Sequence, residues 1–144
     1  MADVAWSIIC RRAIIDKRTN HLSMIDALDG LNFQMTDNEK SDDTWTAVPV
    51  ELALVILYRR SDMNEPEEVN SRLFIEGPSN QRFPTIIDGH IDLKASHQSR
   101  SITEFLELPF QESGIYWFIV ELEQDGEWVE ATRAQLILNG TTPE

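Results

Sequence analysis

The segment VPVELALVILYR, residues 48–59, has a large apolar side chain at every second position and carries the strongest fold signal in the chain. Successive residues of a β-strand point to opposite faces of the sheet, so alternate residues share a face. One face is wholly apolar and is predicted to be buried: Val48, Val50, Leu52, Leu54, Ile56 and Tyr58. The opposite face, from Pro49 to Arg59, is half apolar. This second face favours a strand inside its sheet rather than at an edge.

The same strand-like pattern recurs on both sides of this stretch. Further segments begin at Cys10, Leu22, Val69, Ile87, Ile102, Tyr116 and Trp128. Turn signals separate them, and the strongest is Asp125-Gly126, a dipeptide that supplies the positive φ angles of a tight hairpin turn. The last two strands are therefore predicted to pair antiparallel.

Helical periodicity is nearly absent, and at most a single helical turn is predicted near Ser99–Leu106. Eight or nine short strands with regular turn signals and no intervening helices are typical of an all-β fold. We expect a two-sheet antiparallel β-sandwich, either immunoglobulin-like or C2-like, with a β-barrel as the alternative. The length of 144 residues fits one such domain, residues 1–144, with a frayed tail at residues 139–144.

Cysteine usage and hydropathy bear on the cellular compartment. Cys10 is the single cysteine, so no internal disulfide is possible, and its apolar surroundings predict a buried structural thiol. The first residues lack the basic region of a signal peptide, and the longest apolar run, Leu52–Tyr58, is too short to cross a bilayer. We therefore expect a cytoplasmic protein.

The chain is strongly acidic, with a formal net charge of −13. Such a charge repels nucleic acid and anionic membranes, so neither is expected as a partner, whereas a basic protein partner is compatible with it. The charge is uneven, because residues 11–18 hold four basic residues against one acid and residues 103–144 hold one basic residue, Arg133, against nine acids. Solubility alone explains an acidic surface, and an acidic docking face is the sharper interpretation.

One group of residues has the composition of a metal site. Asp88, His90 and Asp92 share one face of a predicted strand, and two carboxylates with an imidazole are suitable ligands for a divalent metal. An exposed strand face has the same composition, and exposed Asp and His need no special explanation. A fully extended strand also keeps the outer two side chains too far apart for one ion without a further element.

A candidate partner-binding surface lies around Trp45. This residue follows a wholly polar segment, residues 36–43, that contains Asp42 and Asp43. An exposed tryptophan beside carboxylates is suited to anchor a protein partner. Trp45 could equally cover one end of the core, because tryptophan is seldom completely buried. Both interpretations stand at the level of sequence.

Two hairpin patterns, one near each end of the chain, carry a family resemblance. The first pattern consists of the strand-like segment 10–16, then a short polar turn, then the strand-like segment 22–28. The second is Phe110-x-x-x-Gly114-x-Tyr116-x-Phe118, followed by Asp125-Gly126. Together they resemble the opening and closing hairpins of a family of small, uncharacterised bacterial proteins, although residues 17–20 replace the Gly-Lys turn of that family. The resemblance implies a bacterial or phage origin and a compact β-sandwich, and it implies no activity.

The functional prediction rests on motifs and charge. No Gly-x-Ser-x-Gly, P-loop, Gly-x-Gly-x-x-Gly or His-Glu-x-x-His pattern occurs, so we expect neither enzyme activity nor a cofactor. The leading hypothesis is a non-catalytic protein–protein interaction module of a bacterial cell or its phage. The alternatives are a sandwich that binds a divalent metal or a small ligand, and a structural protein that self-assembles through an edge strand. The oligomeric state stays open.

Overall fold

The computed structural model describes residues 2–34 and 45–141, and this part of the chain contains nine β-strands. They are β1 (Asp3–Ile15), β2 (Leu22–Ala27), β3 (Gly30–Gln34), β4 (Thr46–Arg59), β5 (Glu67–Glu76), β6 (Arg82–Leu93), β7 (Gln98–Phe110), β8 (Gly114–Gln124) and β9 (Glu127–Thr141). This part of the chain contains no helix. The helical turn predicted near Ser99–Leu106 is wrong, because those residues pair with β4 as part of β7.

The strands form two sheets that pack against each other. The first sheet has the order β2-β1-β4-β7, and the second has the order β3-β9-β8-β5-β6. The expected two-sheet sandwich is confirmed, and the described strands do not close into the alternative barrel. Neighbouring strands run antiparallel except β3 and β9, which are parallel from Gly30↔Ile137 to Gln34↔Thr141. The parallel arrangement is possible because β3 reaches the second sheet by crossing over from the first, not through a hairpin with β9.

β4 contains the alternating segment 48–59, and its two faces behave as predicted. The apolar face is buried between the sheets, with Val50 partly buried where the pairing of β4 with β7 shifts register. On the opposite face Ala53 and Val55 are buried as well. β4 lies between β1 and β7, so the prediction of a strand inside its sheet is confirmed.

The connection between β7 and β8 is fixed by the buried Tyr116. Its hydroxyl donates a hydrogen bond to the carbonyl oxygen of Glu112 at 2.7 Å and accepts one from the backbone N–H of Gln111 at 3.0 Å. Burial raises the pKa of this phenol above its usual value. The arrangement is the tyrosine corner found in immunoglobulin-like sandwiches. It therefore supports the immunoglobulin-like alternative.

The last two strands form the hairpin predicted from Asp125-Gly126. These residues have φ angles of 53° and 80°, which are the left-handed values that a tight hairpin turn requires. β8 and β9 pair antiparallel on either side of the turn. β9 continues to Thr141 because its end pairs with β3. Residues 139–141, which the sequence assigned to the frayed tail, therefore belong to the strand.

Candidate functional site

The hairpin of β1 and β2 folds back over the outer face of the first sheet. Nη2 of Arg100, on β7, donates hydrogen bonds to the backbone oxygen and to Oδ1 of Asn20, both at 2.8 Å. Asn20 is in the turn between β1 and β2, whereas β4 separates β7 from β1. The hairpin therefore reaches across β4 and touches the far strand of its own sheet.

The bend in β1 lies near Arg11. Trp6 and Ile15 would be about 30 Å apart in a straight strand, yet both side chains line one groove. Asp26 lies opposite the bend on β2 and has a φ of 55°, a left-handed value that interrupts the regular strand. Its carboxylate is 3.8 Å from Arg11 Nε. The irregular backbone and this ion pair mark the place where the hairpin turns back.

A small second core lies under the hairpin. Cys10, Ala53 and Val55 are each at most 2% exposed, although they do not belong to the main core between the sheets. Half-buried side chains that pack against them are Trp6, Ala13, Leu22 and Ile102. Burial raises the pKa of the Cys10 thiol, which donates a hydrogen bond to the carbonyl oxygen of Arg12. The predicted burial of this thiol is confirmed.

The folded-back hairpin leaves an open space of about 710 Å³ between its tip and the sheet, which we call the hairpin groove. Trp6, Leu57 and Arg100 are cross-strand neighbours on β1, β4 and β7, and they form its floor. Ile15 and Leu22 line it from the hairpin. Cavities of this size are typical sites for small organic molecules.

The tip of the hairpin is a basic region of an acidic chain. Lys17 and Arg18 lie in the exposed turn that also contains Asn20. The bonds of Arg100 Nη2 to Asn20 go to oxygens with no formal charge, so these bonds bring no negative charge to the guanidinium. Asp16 is the acid of the turn, and its Oδ1 accepts a hydrogen bond from the backbone N–H of Arg18 at 2.8 Å. Positive charge therefore exceeds negative charge beside the groove, although the chain carries −13.

A second opening, the edge cleft, lies between the two sheets at the side where both end. β6 and β7 are the end strands there, one in each sheet. Between them is an apolar cavity of about 120 Å³. Its lining includes Trp45, Phe83, Ile87, Phe105, Glu107 and Leu108. A cavity of about 150 Å³ can hold benzene, so the edge cleft has room for one apolar side chain.

Trp45 covers one end of the core, which is one of the two interpretations that the sequence left open, and its role in partner binding stays a prediction. Its indole packs edge-to-face on Phe83 with ring centroids 5.9 Å apart, and Phe83 stacks on Tyr116 at 6.1 Å. The indole is half-buried and lines the edge cleft. It therefore covers one end of the core while part of its surface stays accessible. Asp42 and Asp43, the other candidates for partner binding, lie outside the described residues.

The metal candidates on β6 are exposed and have other neighbours. The residues opposite Asp88, His90 and Asp92 on β5 are Arg72, Asn70 and Glu68. His90 Nδ1 lies 2.9 Å from Asn70 Oδ1, within hydrogen-bond distance. Within residues 2–34 and 45–141, no three His, Cys, Asp or Glu side chains are grouped as metal ligands. The structure therefore does not bring the three candidates together around one point.

A cluster of hydroxyl groups lies next to the edge cleft and was not predicted. Tyr58, Ser71, Ser101 and Thr103 line a cavity of about 160 Å³ that shares Ile87 with the cleft. The Tyr58 phenol is hydrogen-bonded to Ser101 and Ser71, and burial raises its pKa. Because three strands supply these hydroxyls, no local sequence pattern reveals the cluster.

Comparison with known proteins provides no relative from which a function could be transferred. Neither a protein-family model nor a curated protein sequence matches the chain. Among the residues described, no helix has the length and apolar character needed to cross a membrane. The function must therefore be inferred from the two openings, the hairpin groove and the edge cleft.

Proposed function

We propose that the protein is a non-catalytic interaction module that binds an extended segment of a partner protein at the edge cleft. The observation that carries this proposal is the apolar cavity of about 120 Å³ between the end strands β6 and β7. The outer side of an end strand presents backbone N–H and C=O groups that can pair with another chain. A partner strand would add to one sheet while one of its side chains fills the cavity.

The partner segment is expected to carry a large apolar residue flanked by basic residues. The cavity lining is apolar, which favours an apolar anchor. Glu107 on β7 is exposed and lines the cavity, and Asp88 on β6 is exposed next to Ile87 of the lining. These two acids favour basic flanks. Trp45 supplies an aromatic surface of the kind that often dominates binding energy at protein interfaces.

The proposed module works in the cytoplasm of a bacterial cell or in its phage. Its single cysteine supports a reducing compartment, because a lone thiol forms no internal disulfide. The net charge of −13 supports a basic protein as the partner and disfavours nucleic acid and anionic membranes.

A photo-crosslinking amino acid at position 87 tests the proposal, because Ile87 lines the edge cleft and is 37% exposed. Host cells that produce this variant are irradiated, and the product is purified under denaturing conditions and sequenced. A matched variant carries the same amino acid in place of Val129 on β9, which is 45% exposed and outside the cleft. We expect a product specific to position 87 whose linked peptide contains an apolar residue beside Lys or Arg.

The linked peptide is then synthesised with a fluorophore and titrated with purified wild-type and Glu107→Lys protein. Glu107 is exposed, so the charge reversal should leave the fold intact. Binding to the variant should be about tenfold weaker, because the basic flanks would meet a like charge. Equal binding to both proteins, or the same crosslinked products from positions 87 and 129, would contradict the proposal.

A further inference from the structure

We infer that the hairpin groove is a second binding site, separate from the edge cleft, and that it takes an amphipathic organic anion. Apolar side chains of Trp6, Leu57, Ile15 and Leu22 line it together with Arg100, and the rest of its lining is polar: Asn20, Ser96, Gln98 and Ser99. Its volume of about 710 Å³ lies in the range of pockets for small organic ligands. A ligand with an apolar body and one acidic group matches this lining.

The apolar part of the site is assembled from distant parts of the chain. Trp6 and Leu57 are direct cross-strand partners, and Leu22 packs from the hairpin on the same small core as Trp6. All three side chains are half-buried, so each keeps surface that a ligand can cover. An apolar body placed against them would be removed from water, which favours binding.

The acidic group is expected at Arg100. Leu57 and Arg100 are cross-strand partners, so the guanidinium lies beside the apolar floor. Its bonds to Asn20 hold it in place but bring no negative charge. A guanidinium presents N–H donors in a planar fork that matches carboxylate or sulfonate oxygens. Lys17 and Arg18 in the adjacent turn add positive potential, which attracts an anion to this part of an acidic chain.

The hairpin favours a small ligand over a polypeptide. Its turn is tied to β7 through Asn20 and Arg100, so it spans the groove from β1 to the far strand of the sheet. A polypeptide lying across the sheet would have to displace the hairpin. A small anion fits between the hairpin tip and the floor, and its contacts with both would hold the hairpin down.

Anilinonaphthalene sulfonate, an aromatic anion whose fluorescence rises on binding, is the probe for this site. Phenylnaphthylamine has the same ring system without the sulfonate and serves as the uncharged control. Both are titrated into the full chain. The anion should bind saturably and at least about tenfold more tightly than the uncharged compound, because only the anion can pair with Arg100. Equal affinities would make the groove a nonspecific apolar patch and would overturn the inference.

Two pairs of variants locate the charge effect. Arg100→Gln should weaken binding of the anion about tenfold, whereas Arg133→Gln, the same change on β9 of the second sheet and outside the groove, should not. Because Arg100 also holds Asn20, the second pair leaves both residues intact. Leu57→Glu and Leu57→Gln differ only in a negative charge beside Arg100, and the Glu variant should bind the anion about tenfold more weakly. Equal binding by this second pair overturns the inference.

Cys10 reports where the anion binds. Its thiol lies in the small core under the hairpin and is the chain's one cysteine. Saturating anilinonaphthalene sulfonate should slow the labelling of Cys10 by a thiol reagent several-fold, because ligand contacts favour the closed hairpin. Phenylnaphthylamine at the same concentration should have a smaller effect. Labelling that is unchanged by the saturating anion would place the probe elsewhere and would overturn the inference.

Discussion

The two sheets cover their outer faces in different ways. On the first sheet the β1–β2 hairpin folds back over Cys10, Ala53 and Val55, and it leaves an open groove beside them. On the second sheet Phe74 and Ile119 are cross-strand partners outside the main core, yet each is at most 2% exposed. Side chains of the second sheet itself supply part of this cover.

Two arginines contribute to the cover of the second sheet. The guanidinium of Arg82 lies 3.9 Å from the ring centroid of Phe74, and that of Arg72 lies 4.4 Å from Trp128. Arg72 Nε also donates a hydrogen bond to Glu121 Oε1 at 2.7 Å, and Arg72 Nη2 lies 2.6 Å from the same oxygen. Long arginine stems cover apolar surface while their charged ends are paired. A folded-back segment of backbone thus creates a cavity, whereas a cover made of side chains fills the space that it protects.

The largest effect is expected from Arg72→Ala, which removes the closest partner of a buried carboxylate. The Glu121 side chain is 10% exposed and would be left with Arg82, whose Nη2 is 3.8 Å away. Stranding a buried charge should lower the free energy of unfolding in urea by about 3 kcal/mol. The double variant Arg72→Met/Glu121→Leu removes both charges and should stay within about 1 kcal/mol of the wild type. If Arg72→Ala is as stable as the wild type, the Arg72–Glu121 pair does not stabilise this side-chain cover.

A smaller loss is expected from Leu22→Ala, which thins the cover of the first sheet. Leu22 is half-buried against the small core, so its truncation should lower the free energy of unfolding by about 1 to 2 kcal/mol. Met24→Ala is a matched truncation on the same strand at a side chain that is 36% exposed. It should cost less than about 0.5 kcal/mol. Equal losses for the two variants would contradict the packing of the hairpin on the sheet.

The contact between the hairpin turn and β7 should contribute about 1 kcal/mol to stability. Asn20→Ala removes the Oδ1 acceptor of Arg100 and puts alanine at a left-handed φ of 59°. Asn20→Gly removes the same acceptor but suits that φ, so it should destabilise the protein less than Asn20→Ala. Urea unfolding of both variants checks this order. If Asn20→Gly is the more destabilised variant, the left-handed backbone conformation at this position does not determine the stability of the turn.

The smallest effect is expected from an exposed pair on the second sheet. A hydrogen bond from Arg133 lowers the pKa of the Glu130 carboxyl below its usual value of 4.5. A lowered folded-state pKa stabilises the protein at pH values above the unfolded pKa, and this contribution is lost as the pH falls through the folded pKa. Glu130→Gln should therefore cost less than about 0.5 kcal/mol at neutral pH, because solvent screens the pair. This cost should vanish in acid, where the Glu130 carboxyl is protonated in the wild type. Urea unfolding of both proteins at neutral and acidic pH checks this. A loss of stability that persists in acid would contradict the prediction.

Local patterns were sufficient to predict the sandwich. The alternation in residues 48–59 predicted both faces of β4, because burial of one face depends on a period that is visible in the sequence. Asp125-Gly126 predicted the last hairpin through backbone angles that few residues adopt. The helical turn near Ser99–Leu106 was wrong because pairing with β4 overrides a weak local preference.

The two openings depend on contacts that no local pattern encodes. Asn20 and Arg100 are 80 residues apart in the sequence, and their contact positions the hairpin groove. Trp45 was identified because it follows a polar segment, but its packing on Phe83 arises only in the folded chain. On β6, His90 takes its polar neighbour from the strand beside it, not from the other metal candidates on its own strand.

The folded-back hairpin is tested most directly by the rate at which a thiol reagent labels Cys10 in the native protein. We predict that the wild type reacts at least about a hundredfold more slowly than the urea-unfolded chain, because the thiol must wait for the hairpin to open. Arg100→Ala should accelerate the native reaction about tenfold by removing both bonds to Asn20, whereas Lys17→Ala, at an exposed position of the same turn, should not. A native thiol that reacts as fast as the unfolded chain would contradict the folded-back hairpin.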